Sequence, residues 1–261
     1  MAHLLEQLLA LESDWLSSAA RDECTGLVAR VVEHCRSSRR RNAQQGLAEL
    51  SRAVYGTPLG IRCRIGPPDL DFRLGRTLTR RFGSCLGISS VYLVLGELLD
   101  LPLEAVAVDG HVLVRLLTPT QDVYIETTRN GAQLGNRMIR LLESRAGTPP
   151  RALSRAEFVA VHLSNRAAFV LAPAGEWEAA LSSTERALEL FPDYAGAWIN
   201  RAAVLVQLRR LDLARASLEQ SLRCRPGVYG RRCAARVGER LESAATPGEP
   251  RSASQPRTVL S

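Results

Sequence analysis

The 261-residue sequence predicts an α+β domain that follows a helical N-terminal lead and precedes an α-helical repeat module. Three observations support this prediction. Apolar residues recur at helical spacing through residues 3–55. A strongly apolar helix pattern at 84–99 is followed by two strand-like segments, 106–117 and 122–128. From residue 161 onward, the sequence repeats itself with a period of 34 residues.

These patterns divide the chain into four segments. Residues 1–55 form the helical lead, 56–150 form the α+β core, 151–243 form the repeats with a capping helix, and 244–261 form a tail. The last apolar pattern of the lead ends near Gly56, in a Gly-Thr-Pro sequence that is typical of a turn. The composition of the tail predicts disorder.

The core should begin irregularly, with a turn at Gly66-Pro67-Pro68 and a short helix over 74–81. Ser84 is a typical N-cap for the apolar helix that follows. The loop 118–121 has the length of a hairpin connection between the two strand-like segments, and Asn130-Gly131 indicates a turn after the second of them.

Composition excludes several classes of protein. Apolar residues make up 46% of the chain and charged residues 23%, so a fully disordered chain is excluded. All 34 basic residues are Arg, which excludes mechanisms that need a lysine, such as a Schiff base or a P-loop. Six cysteines without a CxxC pair are too few for a disulfide scaffold and argue against structural zinc. We therefore expect reduced thiols in a cytoplasmic protein, with no metal and no cofactor.

The charge distribution bears on the choice of partner. The net charge is +7, and residues 225–261 carry seven Arg and three Glu, so +4 of it lies there and +3 in the rest of the chain. With only 5% aromatic residues, we expect no nucleic-acid partner. The N-terminal sequence has no basic region before its apolar residues and predicts an amphipathic helix rather than a signal peptide. No apolar run approaches the length of about 18 residues that a membrane span needs.

The two copies of the repeat are residues 161–194 and residues 195–228. Small residues recur where paired helices would cross, and a proline follows each second helix, a pattern that resembles the tetratricopeptide repeat. Two repeats cannot bury their faces alone, so we expect residues 229–243 to form a capping helix. Gly175 and Trp198 fit the pattern, and Ser164 and Arg209 depart from it. The identical pairs are Ala168/Ala202, Val170/Val204, Leu171/Leu205, Ala180/Ala214, Ser183/Ser217, Glu185/Glu219, Leu188/Leu222 and Pro192/Pro226.

Cys85, His111 and Glu126 form the constellation best suited to chemistry. Cys85 is predicted in the first turn of a helix, where unsatisfied N–H groups and the helix dipole favour a thiolate. His111 opens a strand, and Glu126 lies on the partner strand of a hairpin. This order of thiol, imidazole and acid fits a papain-like arrangement, in which the imidazole deprotonates the thiol and the acid orients the imidazole. A buried core cysteine and a strand-capping histidine are the structural alternative.

The sequence around these residues resembles the transglutaminase-like superfamily, and within it the SirB1-type branch, whose members often carry C-terminal tetratricopeptide repeats. The resemblance covers about residues 43–135. The matching features are the lead-in Arg80-Arg81-x-Gly83, Cys85, the helix with Ser89, Tyr92 and Leu93, the segment Leu101-Pro102-Leu103, the pair Gly110-His111 with Val114-Arg115, and the segment Ile125-Glu126-Thr127; upstream, LSRAVYG and the Pro-rich turn before Asp69 also match.

The resemblance implies a papain-like α+β domain with Cys85 as nucleophile, His111 as general base and acid, and Glu126 as the orienting acid. Glu126 stands where many relatives have Asp. From the three assigned roles we expect a cysteine-dependent acyl-transfer or amide-hydrolysing protein whose repeats dock a protein or peptide. The alternative is an inactive scaffold that acts by protein–protein interaction, because many members of the branch have lost the cysteine.

Other polar residues have simpler structural interpretations. Asp109 and Asp122 are expected to be solvated carboxylates, and Tyr92 is expected to be part of the core. Cys24 and Cys35 lie eleven residues apart on one predicted helix, a spacing that favours core thiols over a metal pair.

Overall fold

The computed structural model describes residues 3–37, 42–63 and 72–246. They form two compact units. The first comprises the described residues up to Ser144 together with Pro149–Arg155, and the second comprises Arg145–Thr148 and the described residues from Ala156 onward. The predicted turn at Gly66-Pro67-Pro68 and most of the predicted tail lie outside the described residues.

The helices that precede the sheet lie where the apolar periodicity predicts them. Asn42 caps the third helix, because its side chain accepts a hydrogen bond from the backbone N–H of Gln45. The first five helices are α1 (Leu4–Ala10), α2 (Ser18–Ser37), α3 (Ala43–Tyr55), α4 (Leu74–Arg80) and α5 (Cys85–Leu98).

Two short strands lie close to the start of α5. β1 (Arg62–Cys63) pairs in parallel with β2 (Phe82–Gly83), with Cys63 opposite Gly83. β2 is therefore followed directly by Ser84 and by Cys85, the first residue of α5.

The main sheet has five antiparallel strands in the order β6-β5-β4-β3-β7. Helix α6 (Asn136–Ala146) lies in the connection between β6 and β7. No sequence pattern predicted β6, α6 or β7. The strands are β3 (Leu103–Val108), β4 (His111–Leu116), β5 (Val123–Glu126), β6 (Ala132–Leu134) and β7 (Arg151–Leu153).

The strand-like run at 106–117 is two strands rather than one. The chain reverses at Asp109-Gly110, so that Val108 pairs with His111. Both turn residues have positive φ, 30° for Asp109 and 84° for Gly110. Two-residue hairpins favour such turns, because their twist matches that of the strands, and Asp-Gly is a preferred sequence for them.

Helix α5 forms the centre of the first unit. Its residues from Leu86 to Gly96 are all buried, and it packs against β3 and β4 as well as against α1 to α4. A helix that is apolar on all sides requires such an enclosed position. The buried body of α5 fixes its N-terminal residue in space.

The second unit is helical. Helix α7 (Arg155–Arg166) continues as a π-helical stretch, Ala167–Leu171, in which the N–H of Ala172 donates to the carbonyl of Ala167 at 3.0 Å. α9 packs against α8, α10 and α11, and the first residues of α8 and α10 are 34 positions apart, as in the sequence repeat. The remaining helices are α8 (Trp177–Leu190), α9 (Ala195–Gln207), α10 (Leu211–Arg223) and α11 (Val228–Ala245).

Candidate active site

Cys85 is the first residue of α5, as the sequence predicts. Ser84 caps the helix, and its side chain accepts from the N–H of Gly87 at 3.5 Å. The first N–H groups of a helix have no partner within the helix, so they are available to a negative charge at this position. The half-buried Cys85 side chain therefore lies at an electropositive helix terminus.

His111 and Glu126 meet on one face of the sheet. Val114 pairs with Ile125, so the register places Glu126 opposite Leu113, two residues beyond His111 on β4. Residues two apart on a strand point to the same face, which makes His111 and Glu126 diagonal neighbours. His111 Nε2 lies 2.8 Å from Glu126 Oε2. His111 also shares a side-chain hydrogen bond with Cys85.

The second oxygen of the Glu126 carboxylate is held by Thr128. Oε1 accepts hydrogen bonds from the Thr128 N–H at 3.0 Å and from its Oγ1 at 2.6 Å. Glu126 is 8% exposed. The carboxylate is therefore fixed at both oxygens, with one directed at the imidazole.

The pKa shifts of the three groups follow from these contacts. Burial alone would raise the pKa of the Cys85 thiol, but the hydrogen bond and positive charge of His111, with the backbone N–H groups of Val112 and Leu86, outweigh it and lower the pKa. Burial alone would lower the pKa of His111, but Cys85 and Glu126 outweigh it and raise the pKa to about 10. Burial opposes ionisation of Glu126 too, yet His111 and Thr128 lower the pKa of its carboxyl. All three shifts favour the charged forms of these groups, a thiolate, an imidazolium and a carboxylate.

Cys63 is a second thiol beside the site, and no sequence pattern marks it as a site residue. Burial raises its pKa, and the neighbouring negative charges of Cys85 and Glu126 raise it further. Its strand, β1, has only two residues, too short for a periodic pattern to reveal. The two half-buried thiols have pKa values shifted in opposite directions, so Cys63 is a natural reference for Cys85.

A model of the transglutaminase-like superfamily matches residues 19–169, which is more than half of the chain. The chain belongs to the transglutaminase-like superfamily. Cys85, His111 and Glu126 all lie within the matched range. Searches of curated proteins and of solved structures found no match.

The other polar residues considered from the sequence are ion-paired or buried. Asp122 lies 3.3 Å from Arg115, and Tyr92 is fully buried. Cys24 and Cys35 are also buried, and burial raises the pKa of Cys24 to about 11. Across residues 3–37, 42–63 and 72–246, no group of three or more His, Cys, Asp or Glu side chains is placed to hold a metal ion. No helix within the same ranges is long and apolar enough to cross a membrane.

Proposed function

We propose that this member of the transglutaminase-like superfamily is an enzyme that attacks amide carbonyls with the thiolate of Cys85. The observation that carries the proposal is the 2.8 Å contact between His111 Nε2 and Glu126, because it fixes the imidazole that is hydrogen-bonded to Cys85. An activated thiol beside an oriented imidazole is the arrangement that covalent acyl transfer requires.

In the proposed reaction, the Cys85 sulfur bonds to the amide carbon, and the carbonyl electrons move onto oxygen. Backbone N–H groups at the start of α5 stabilise that oxyanion. When the intermediate collapses, the C–N bond breaks and His111 gives its proton to the leaving nitrogen, which leaves a thioester on Cys85. His111 then takes a proton from water or from an amine as this acceptor attacks the thioester, and the thiolate is released. Glu126 orients the imidazole in both steps.

The rate of thiol alkylation tests the proposed nucleophile. The protein is treated with limiting iodoacetamide, and modification of each cysteine is followed by peptide mass spectrometry. Cys85 should react faster than the other five cysteines, and a Cys63→Ser variant should leave its rate unchanged. If Cys85 reacts no faster than Cys63, the proposal is wrong.

A second experiment identifies the acyl acceptor. The protein is incubated with a glutamine-rich protein and a biotin-labelled primary amine, and amine incorporation, ammonia release and peptide cleavage are measured in parallel. Crosslinking gives amine incorporation together with ammonia release, deamidation gives ammonia release without amine incorporation, and proteolysis gives peptide cleavage. Cys85→Ser should abolish whichever product forms, and absence of all three products would argue for the alternative function below.

We infer a docking role for the second unit. The starts of α8 and α10 at a spacing of 34 residues, with buried Ala180 and Ala214 at equivalent positions, support an assignment to tetratricopeptide-type repeats of the kind that accompany the SirB1-type branch. Such repeats present a face that binds a protein or peptide. If the protein is an inactive scaffold, Cys85→Ala will preserve its cellular phenotype. Loss of the phenotype with the fold intact would exclude a pure scaffold.

A further inference from the structure

Thr127 lies between the acid and the nucleophile. It directly follows Glu126 and is fully buried. Its Oγ1 donates to the backbone carbonyl of Cys85 at 3.4 Å and lies 3.3 Å from Ser89 Oγ. This side chain therefore connects the turn that bears the acid with the first two turns of the nucleophile helix.

Tyr55, the last residue of α3, binds the backbone of Thr127. Its hydroxyl donates to the carbonyl of Thr127 at 2.7 Å. The Tyr55 ring packs on Tyr92 with centroids 6.1 Å apart. Gly131, with φ of 73°, passes so close that a Cβ there would lie 2.9 Å from the Tyr55 ring. The phenol is thus enclosed and can act as a fixed donor rather than a mobile one.

We propose that Tyr55 is a positioning residue of the active site, which acts through Thr127 to hold Glu126 in line with His111. This proposal rests on the proposed function, because it concerns the same three groups. The peptide carbonyl that Tyr55 binds lies between Glu126 and Thr128, the residue that holds the second carboxylate oxygen. A shift of this carbonyl would move both the carboxylate and its support. The helical lead therefore contributes a residue to the catalytic arrangement.

Tyr55→Phe and Ser51→Ala form a matched pair for the test. Ser51 lies one turn before Tyr55 on α3, and its Oγ accepts from the hydroxyl of Tyr92 at 2.8 Å. Each variant removes one hydroxyl from the same cluster, but only Tyr55→Phe removes a bond to the acid turn. The readouts are the rate of Cys85 alkylation by iodoacetamide as a function of pH, and the thermal unfolding temperature.

We expect Tyr55→Phe to slow alkylation of Cys85 at neutral pH roughly three- to tenfold, the equivalent of one hydrogen bond, and Ser51→Ala to stay within about twofold of the parent. The pH midpoint of the reaction should move upward only in Tyr55→Phe. Thr127→Val removes the other link of this connection, the Oγ1 contacts with α5, and should also slow alkylation, whereas Thr127→Ser should not, because serine keeps the hydroxyl. If Tyr55→Phe does not fold, the threonine pair tests the link through which Tyr55 acts, and an unchanged profile in Thr127→Val then overturns the proposal.

Two negative results can be told apart. If Cys85 of the parent protein is highly reactive and both Tyr55→Phe and Thr127→Val keep its pH profile, the positioning role is wrong and the proposed function stands. If Cys85 of the parent protein is no more reactive than Cys63, the proposed function fails, and the positioning role fails with it.

Discussion

The two units contain one partly buried and one fully buried histidine, and their pKa values are shifted in opposite directions. His162 on α7 is 4% exposed, packs edge-on against Phe158 with ring centroids 5.1 Å apart, and has a pKa lowered to about 3 by burial. His111 is partly buried, and its contacts with Cys85 and Glu126 raise its pKa to about 10. Burial opposes the imidazolium at both positions, and at His111 the interactions with Cys85 and Glu126 outweigh it. A buried histidine is therefore informative about function only together with the groups around it.

The largest expected effect separates the two histidines directly. His111→Asn removes the positive partner of the Cys85 thiolate, so burial then dominates and the thiol pKa rises. With the thiol pKa at or above its ordinary value of 9.0, no more than about 1% of Cys85 would be thiolate at pH 7, so its alkylation rate should fall by up to roughly 100-fold. His162→Leu should leave that rate unchanged. Equal effects of the two substitutions on Cys85 would contradict the comparison.

A smaller effect is expected from the acid. Glu126→Gln keeps the size of the side chain but removes the charge that stabilises the imidazolium, so we expect the alkylation rate of Cys85 to fall roughly tenfold. The pKa of His111 should also fall from about 10, so the alkaline limb of an activity profile should move to lower pH. Glu104→Gln is the matched control, because Glu104 pairs with Arg115 on the same sheet. The orienting role would be excluded if both variants gave the same profile.

His162 should affect stability rather than reactivity. Its folded pKa of about 3 lies below the ordinary value of 6.5, so the unfolded chain binds more protons between these values. Stability should therefore decline as the pH falls below about 6.5, by up to about 1.4 kcal/mol per pH unit from this group. His162→Leu should flatten this part of the profile in urea unfolding. An unchanged acid slope in the variant would show that His162 is not the source.

The smallest effect is expected at Thr128. Thr128→Val removes the 2.6 Å hydroxyl bond to Glu126 but keeps the backbone N–H bond, so we expect a loss of roughly threefold in the Cys85 alkylation rate. Thr128→Ser keeps the hydroxyl and should retain the parent rate. A loss of equal size in both variants would indicate general disturbance of the turn.

The sequence predicted the helix that begins at Cys85 better than the sheet that carries His111 and Glu126. Ser84 and the apolar pattern after it placed Cys85 at a helix start, and the structure has that helix. The transglutaminase-like domain was also predicted and is confirmed by the family match. The contact between His111 and Glu126 depends on strand register, which only the assembled hairpin fixes. The turn at Asp109-Gly110 had a sequence signal, but the alternating Val and Leu residues on both sides obscured it.

Other features had no readable signal. Cys63 and Tyr55 reach the site through packing of elements far apart in sequence, and neither has a motif of its own. The repeat shows the same limit, because Ala168 and Ala202 occupy equivalent positions, yet the first lies in a π-helical stretch and the second in a regular α-helix. Similar residues can adopt either hydrogen-bond pattern when the neighbouring helices differ.

We expect Cys85 and His111 to form a thiolate–imidazolium pair that Glu126 supports. The most direct test follows thiolate absorbance in the ultraviolet against pH, as the difference between the parent protein and its Cys85→Ser variant. We predict that Cys85 ionises below the ordinary thiol pKa of 9.0, and that Glu126→Gln moves this transition upward. A difference curve with its midpoint at or above the ordinary thiol value would contradict this prediction.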